Sequence, residues 1–212
     1  MIINNIENST PKINNGYNIG IFGGSFDPPH ISHTLMAISM LALEPIDELW
    51  IIPCADHPLN KDLSSFSHRF KMCKYAFSRF SKQVKVVPIE QYLPSPSYTV
   101  QTLKTIKEIR PNIKLSLAIG SDLLEQIPKW HKFECLEKLC NLIIFLRVGF
   151  PIKKLHKKIK INKIYKNYFL PNISSNIIRK KIKELHINKT SNRNLFIDLK
   201  ILKFINNNEL YI

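Results

Sequence analysis

A doubly wound α/β fold, a parallel sheet with helices on both faces, is the architecture this 212-residue sequence predicts. Three observations predict it. Short apolar runs of strand length alternate with longer runs of helical periodicity between residues 17 and 147, and that alternation builds parallel sheets covered by helices. A glycine-rich turn follows the first apolar run directly, where open sheets of this kind form their ligand crevice. A hydrophobic content of 44% and a charged content of 22% suit an ordinary soluble globular chain, long enough to bury a full-sized core as a single domain over residues 1–212.

Residues 1–15, rich in Asn, lack the basic start and long apolar centre of a secretory signal and are expected to form a flexible arm. "YNIGIFG" (Tyr17–Gly23) reads as a buried strand, and "SHTLMAISMLAL" (Ser32–Leu43) as an apolar helix packed on it. "DELWIIPC" (Asp47–Cys54) is the second strand. Ser64–Phe80 places Phe66, Phe70, Cys73 and Phe77 at helical spacing, and "QVKVVPI" after it is the third strand. "SYTVQTLKTIKEIR" is a helix stopped by Pro111, "KLSLAIG" the fourth strand and "NLIIFLR" the fifth, with a short helix and "FECLEKLCN" between those two. Beyond Pro151 the basic stretch "KKLHKKIKINK" reads as a solvated connection, and two helices, Ser174–Leu185 and Leu195–Ile205, form a C-terminal helical segment.

Charge and cysteine content narrow the function only partly. A net charge of +15 attracts polyanions such as nucleic acid, acidic membrane or phosphorylated small molecules. Lys, Asn and Ile are abundant throughout, so the charge alone selects none of them. A basic RNA-binding module is the alternative it raises, and no RNP-like aromatic pattern accompanies it. Cys54, Cys73, Cys135 and Cys140 form no C-x-x-C pair and no zinc-like spacing, which fits reduced thiols of a cytoplasmic protein. No apolar run reaches the roughly 18 residues of a membrane-spanning helix.

The chemistry concentrates in "GIFGGSFDPPHISH", Gly20 to His33. It holds three of the chain's six glycines and two of its seven histidines. Gly23 and Gly24 let the backbone turn sharply and approach a ligand closely. The helix that follows offers unpaired amides and positive partial charge, which suit a phosphate. Asp27, Pro28 and Pro29 stiffen the turn. His30 and His33 lie three apart on one face, where they serve better as donors to phosphate oxygens than as metal ligands, because no further ligands stand nearby at a usual spacing. Far downstream, "NISSNIIRKKI" places Ser174 as a helix cap, with Ser175 and Arg179 four apart on one face. A hydroxyl and a guanidinium at a helix start form a polyphosphate clamp.

"GGSFDPPHISH" resembles the G-x-F-x-P-x-H-x-G-H signature of the nucleotidylyltransferase superfamily, and "NISSNIIR" resembles its I-S-S-x-x-x-R motif. Ser32 stands where that pattern has Gly. Further runs, "LWIIPCADHPLNK", "PSYTVQTLKTIKE", "AIGSDLLEQIPKWHKFECL" and "LIIFLRVGF", together resemble the bacterial-type nicotinate-nucleotide adenylyltransferases. The resemblance spans Ile19–Phe150 and then Phe169 to the end. It implies a Rossmann-like fold and transfer of an adenylyl group from ATP to nicotinate mononucleotide, giving deamido-NAD and pyrophosphate. Phosphopantetheine adenylyltransferases and cytidylyltransferases share the first signature and are the nearest alternatives.

By the same resemblance, His30, His33, Arg179 and Lys61 carry the chemistry. Gly23, Gly24, Ser25, Phe26, Asp122, Ser174 and Ser175 join His30, His33 and Arg179 in holding ATP. Trp130 stacks on the pyridine ring, the backbone amides of Thr99 and His131 hold its carboxylate, and Lys61 lies on the mononucleotide side. Arg147 matches a basic position of an R-P-G-Y run in which Val148 replaces the proline. Mg²⁺ is expected to be held mainly by ATP phosphates and water, without a carboxylate cage. The substrates are the expected partners, with no nucleic acid and no membrane.

Overall fold

A computed structural model describes residues 2–80, 82–152, 160–188 and 195–212. Seven α-helices and six strands follow one another among the described residues. They are α1 (Ile2–Ser9), β1 (Asn18–Gly24), α2 (Ile31–Leu43), β2 (Glu48–Pro53), α3 (Phe66–Phe77), β3 (Val84–Val86), α4 (Thr99–Ile109), β4 (Lys114–Gly120), α5 (Leu136–Leu139), β5 (Asn141–Arg147), β6 (Lys163–Leu170), α6 (Ser175–Asn188) and α7 (Leu199–Asn207). The six strands form one sheet in the order β3-β2-β1-β4-β5-β6, and every neighbouring pair is parallel. The chain winds outward from β1 in one direction and from β4 in the other. The switch point, where a doubly wound sheet binds its ligand, therefore lies between β1 and β4.

Strand periodicity divides the core. One face gathers Ile19, Ile21, Trp50, Ile52, Leu115 and Leu117 against Leu103 and Ile106 of α4. The other gathers Phe22, Leu49, Ile51 and Phe145 against Met36 and Met40 of α2 and Phe77 of α3. A third cluster packs Ile178 and Ile182 of α6 and Ile201 and Ile205 of α7 on Met72 of α3. The C-terminal helices thus stack outside α3, at the carboxyl edge of the sheet.

Three expectations need correcting. The flexible arm is replaced by α1, whose Ile6 is 3% exposed in the main core. Five strands become six, because β6 pairs with β5 across a bulge at Phe145/Leu146; of the basic connection, residues 153–159 lie outside the described part and Lys163 opens the strand. On α3 the buried face is Arg69, Met72, Cys73 and Phe77, while Phe66 and Phe70 stack on each other at its margin, 5.9 Å apart.

Candidate active site

Gly23 and Gly24 end β1 opposite Ile52 and Pro53 of β2. A Cβ on Gly24 would lie 3.2 Å from the Phe26 ring, so any side chain there would press on the turn's own packing. Phe26 has a left-handed backbone, φ 50°, and its side chain lies in the core, edge-on to Phe22 at 5.3 Å and to Phe77 at 6.4 Å. The ring is thus a foundation for the turn.

His30 caps α2 in extended conformation, and its ring lies 3.8 Å from that of His33 at 32°. The His30 N–H donates to His33 Nδ1 at 3.1 Å. This places the His33 proton on Nε2 and leaves that nitrogen as a donor. His30 Nδ1 is buried without a partner. Burial, with the Arg147 charge behind it, lowers the His30 pKa to about 3. Burial first, then His30 and Arg147, holds His33 well below its ordinary value; its ring is enclosed by Phe22, Phe26 and His30. Both imidazoles are neutral at pH 7 in the ligand-free chain. The Ile31 amide at the start of α2 is already taken by the Phe196 carbonyl at 2.9 Å.

The second motif closes on this turn across 147 to 152 residues of sequence. Ser175 Oγ donates to the Pro28 carbonyl at 2.9 Å, and Arg179 Nη1 donates to the Asp27 carbonyl at 2.6 Å. Arg179 also stands 3.7 Å from the buried Asp27 carboxylate. Ser174 accepts from the Ile177 amide at 3.4 Å, in the position of a cap. Ser32 Oγ donates to the Pro171 carbonyl at 3.0 Å, so the hydroxyl that replaces glycine ties α2 to the segment leading into the second motif.

Asp122 lies in the 3₁₀ turn Ser121–Leu123 after β4 and pairs with Arg147 at 2.6 Å. The Arg147 guanidinium also donates to the Ile173 carbonyl, and its backbone amide donates to the Ser121 hydroxyl oxygen at 2.9 Å. It therefore binds the turn after β4 to the second motif, and its Nε is buried without a partner. The sequence flagged Arg147 only through its place in a run; its bridging role required the fold.

The residues expected on the mononucleotide side lie on other elements. Tyr98 caps α4 and stacks on His131, 4.3 Å between centroids. Thr99, first in α4, thus sits beside His131 with an amide that helix geometry leaves without an intrahelical acceptor. Trp130 is half-buried against the main core. Lys61 is exposed on the loop between β2 and α3, where its charge, after burial, helps lower the His57 pKa to about 4. Among the described residues, no group of three His, Cys, Asp or Glu side chains could hold a metal ion.

The cytidylyltransferase-like family profile matches residues 21–181. The nicotinate-nucleotide adenylyltransferase of Bacillus subtilis (strain 168) is 35% identical over 195 residues, covering 91% of this chain and 97% of its own. The Plasmodium falciparum nicotinic acid mononucleotide adenylyltransferase complexed with NaAD superposes with a TM-score of 0.74 at 29% identity, covering 92% of this chain and 97% of that one. The same Plasmodium enzyme complexed with APC gives a TM-score of 0.71 at 29% identity, with the same coverage of both chains.

Proposed function

The chain belongs to the nicotinate-nucleotide adenylyltransferases of the cytidylyltransferase-like family, and we propose that its cleft joins nicotinate mononucleotide to the AMP part of ATP. The products are deamido-NAD and pyrophosphate. The observation that carries this reading is the docking of Ser175 and Arg179 on the Asp27–Pro28 carbonyls, which sets both phosphate-binding signatures around one turn.

The attacking group is a phosphate whose second pKa is ~6, so it is mostly dianionic at neutral pH. It needs no general base. The barrier is repulsion between anions and the charge that builds on the bridging oxygen, and oriented donors lower both. His33 offers Nε2–H, and the neutral His30 ring stacked on it offers a second donor to the transferring phosphate. Arg179 and Lys61 neutralise phosphate charge, while Asp122, fixed by Arg147, faces the ribose. Backbone amides of Thr99 and His131 favour a carboxylate over a carboxamide, whose amino group is itself a donor.

Members of this family generally use a divalent metal. The donor set here suits Mg²⁺ arriving with ATP as part of the substrate, where it would neutralise charge on the triphosphate oxygens. The four free thiols support a reducing compartment, the cytoplasm. The test is pyrophosphate release from ATP with nicotinate mononucleotide and nicotinamide mononucleotide side by side. Release with the first acceptor is expected to exceed release with the second, and His30→Ala is expected to lower kcat by ~10²–10³. No release with either acceptor would refute the reading.

A further inference from the structure

We propose that Arg69 is a positioning residue for adenylyl transfer, a guanidinium that sets the histidine-bearing turn in register with the loop carrying Lys61. This deepens the reading of the active site and rests on it. Arg69 is 1% exposed, in the first turn of α3. A charge so buried is costly unless hydrogen bonds replace its water. Among the described residues it makes no ion pair at contact distance, and every direct polar partner is a backbone carbonyl.

Those carbonyls come from three places. Nη1 donates to Ser25 in the first signature at 3.0 Å and to Cys54 at the end of β2 at 2.6 Å. Nη2 donates to Ala55 at 3.3 Å, and Nε donates to Ser64 at 2.8 Å. Cys54, Ala55 and Ser64 bracket the loop that carries Lys61. Other groups hold two of the same residues by their amides. Glu90 accepts from the Ala55 amide at 3.2 Å, and Asp27 accepts from the Ser64 amide at 3.2 Å.

One planar group thus joins the ATP-side turn to both ends of the Lys61 loop. Arginine's five donors in a fixed fork allow this, and a lysine ammonium has three donors and no such plane. What Arg69 fixes is the offset between the loops, on which in-line attack depends, and a misplacement of about 1 Å costs on the order of 10² in rate.

The test compares wild type with Arg69→Lys and Arg69→Met, each shown to be folded by circular dichroism. We expect kcat for pyrophosphate release to fall ~10²-fold while KM for ATP and for nicotinate mononucleotide each change less than about 3-fold. Backbone amide exchange should quicken in residues 54–64 and stay unchanged in β4. Unchanged kcat in a folded variant, a rise in one KM alone, or unchanged exchange would each overturn the proposal. If neither variant folds, the wild-type Arg69 guanidinium protons decide it by NMR: slow solvent exchange supports the clamp and fast exchange overturns it. A wild-type chain that releases no pyrophosphate would refute the adenylyl-transfer reading, and loop exchange would still decide whether Arg69 couples the two loops.

Discussion

Acid should destabilise this protein through the active-site histidines, and His30 gives the effect a size. Its pKa in the folded chain is about 3, against an ordinary 6.5. The folded state therefore binds fewer protons than the unfolded state throughout that interval. Stability is unaffected well above pH 6.5, falls as pH drops through 6.5, and levels off below the folded value. Integrating between those two pKa values, His30 alone removes about 2 kcal/mol between pH 7 and pH 5. His33, also held low by burial, acts in the same direction. The perturbation is His30→Asn, since asparagine is a good helix cap and preserves the start of α2. Urea unfolding followed by circular dichroism at pH 7, 6 and 5 supplies the comparison. The wild-type protein should lose about 2 kcal/mol more than the variant across that range. Parallel pH dependence in the two proteins would refute a buried neutral His30.

Two further outcomes follow from single contacts. A Cβ on Gly120 would run into the Asp122 carboxylate, so Gly120→Ala should turn it from Arg147 and raise KM for ATP about tenfold, the worth of one charge-assisted hydrogen bond, in steady-state kinetics. Tyr211→Phe removes the hydroxyl that donates to the buried Asp27 carboxylate at 2.6 Å; calorimetry should record a loss of about 1.5–3 kcal/mol, with a matching fall in Tm.

What the sequence revealed, and what it hid, divides along lines of burial. Strands β1, β2, β4 and β5 are buried on both faces and read as continuous apolar runs. β6, "KIYKNYFL", is an edge strand buried fully only at Leu170, so neither an apolar run nor an alternation betrays it. α1 lies in an Asn-rich stretch, and Ile6 is its buried hydrophobic anchor. The residues assigned here to phosphate stood out because glycine, histidine and serine cluster in recognisable spacings. Those that hold the site together did not. Arg69 sits on a helix where an arginine reads as a solvated charge, and Tyr211 reaches Asp27 across 184 residues. Their partners are backbone carbonyls or distant side chains, which no local pattern encodes.

The neutrality of the histidines bears on how the cleft meets ATP. Arg147 and Arg179 already supply fixed positive charge beside the turn. Two imidazolium rings at 3.8 Å would repel each other and the guanidinium of Arg147, so protonation in the empty site would strain it without a counter-charge. Nucleotide phosphates change that balance, since opposite charge nearby favours the protonated form. On the proposed reading, the arginines would act as permanent attractors, while the imidazole pair would supply donors whose charge can follow the substrate. At most one further proton fits the pair, because each ring lowers the other's affinity for it. ATP should then bind somewhat more tightly as pH falls from 8 to 6, with a slope of at most one proton per nucleotide, measurable by calorimetry in buffers of different ionisation heat. A slope near two would mean that the rings titrate independently, which their 3.8 Å separation forbids.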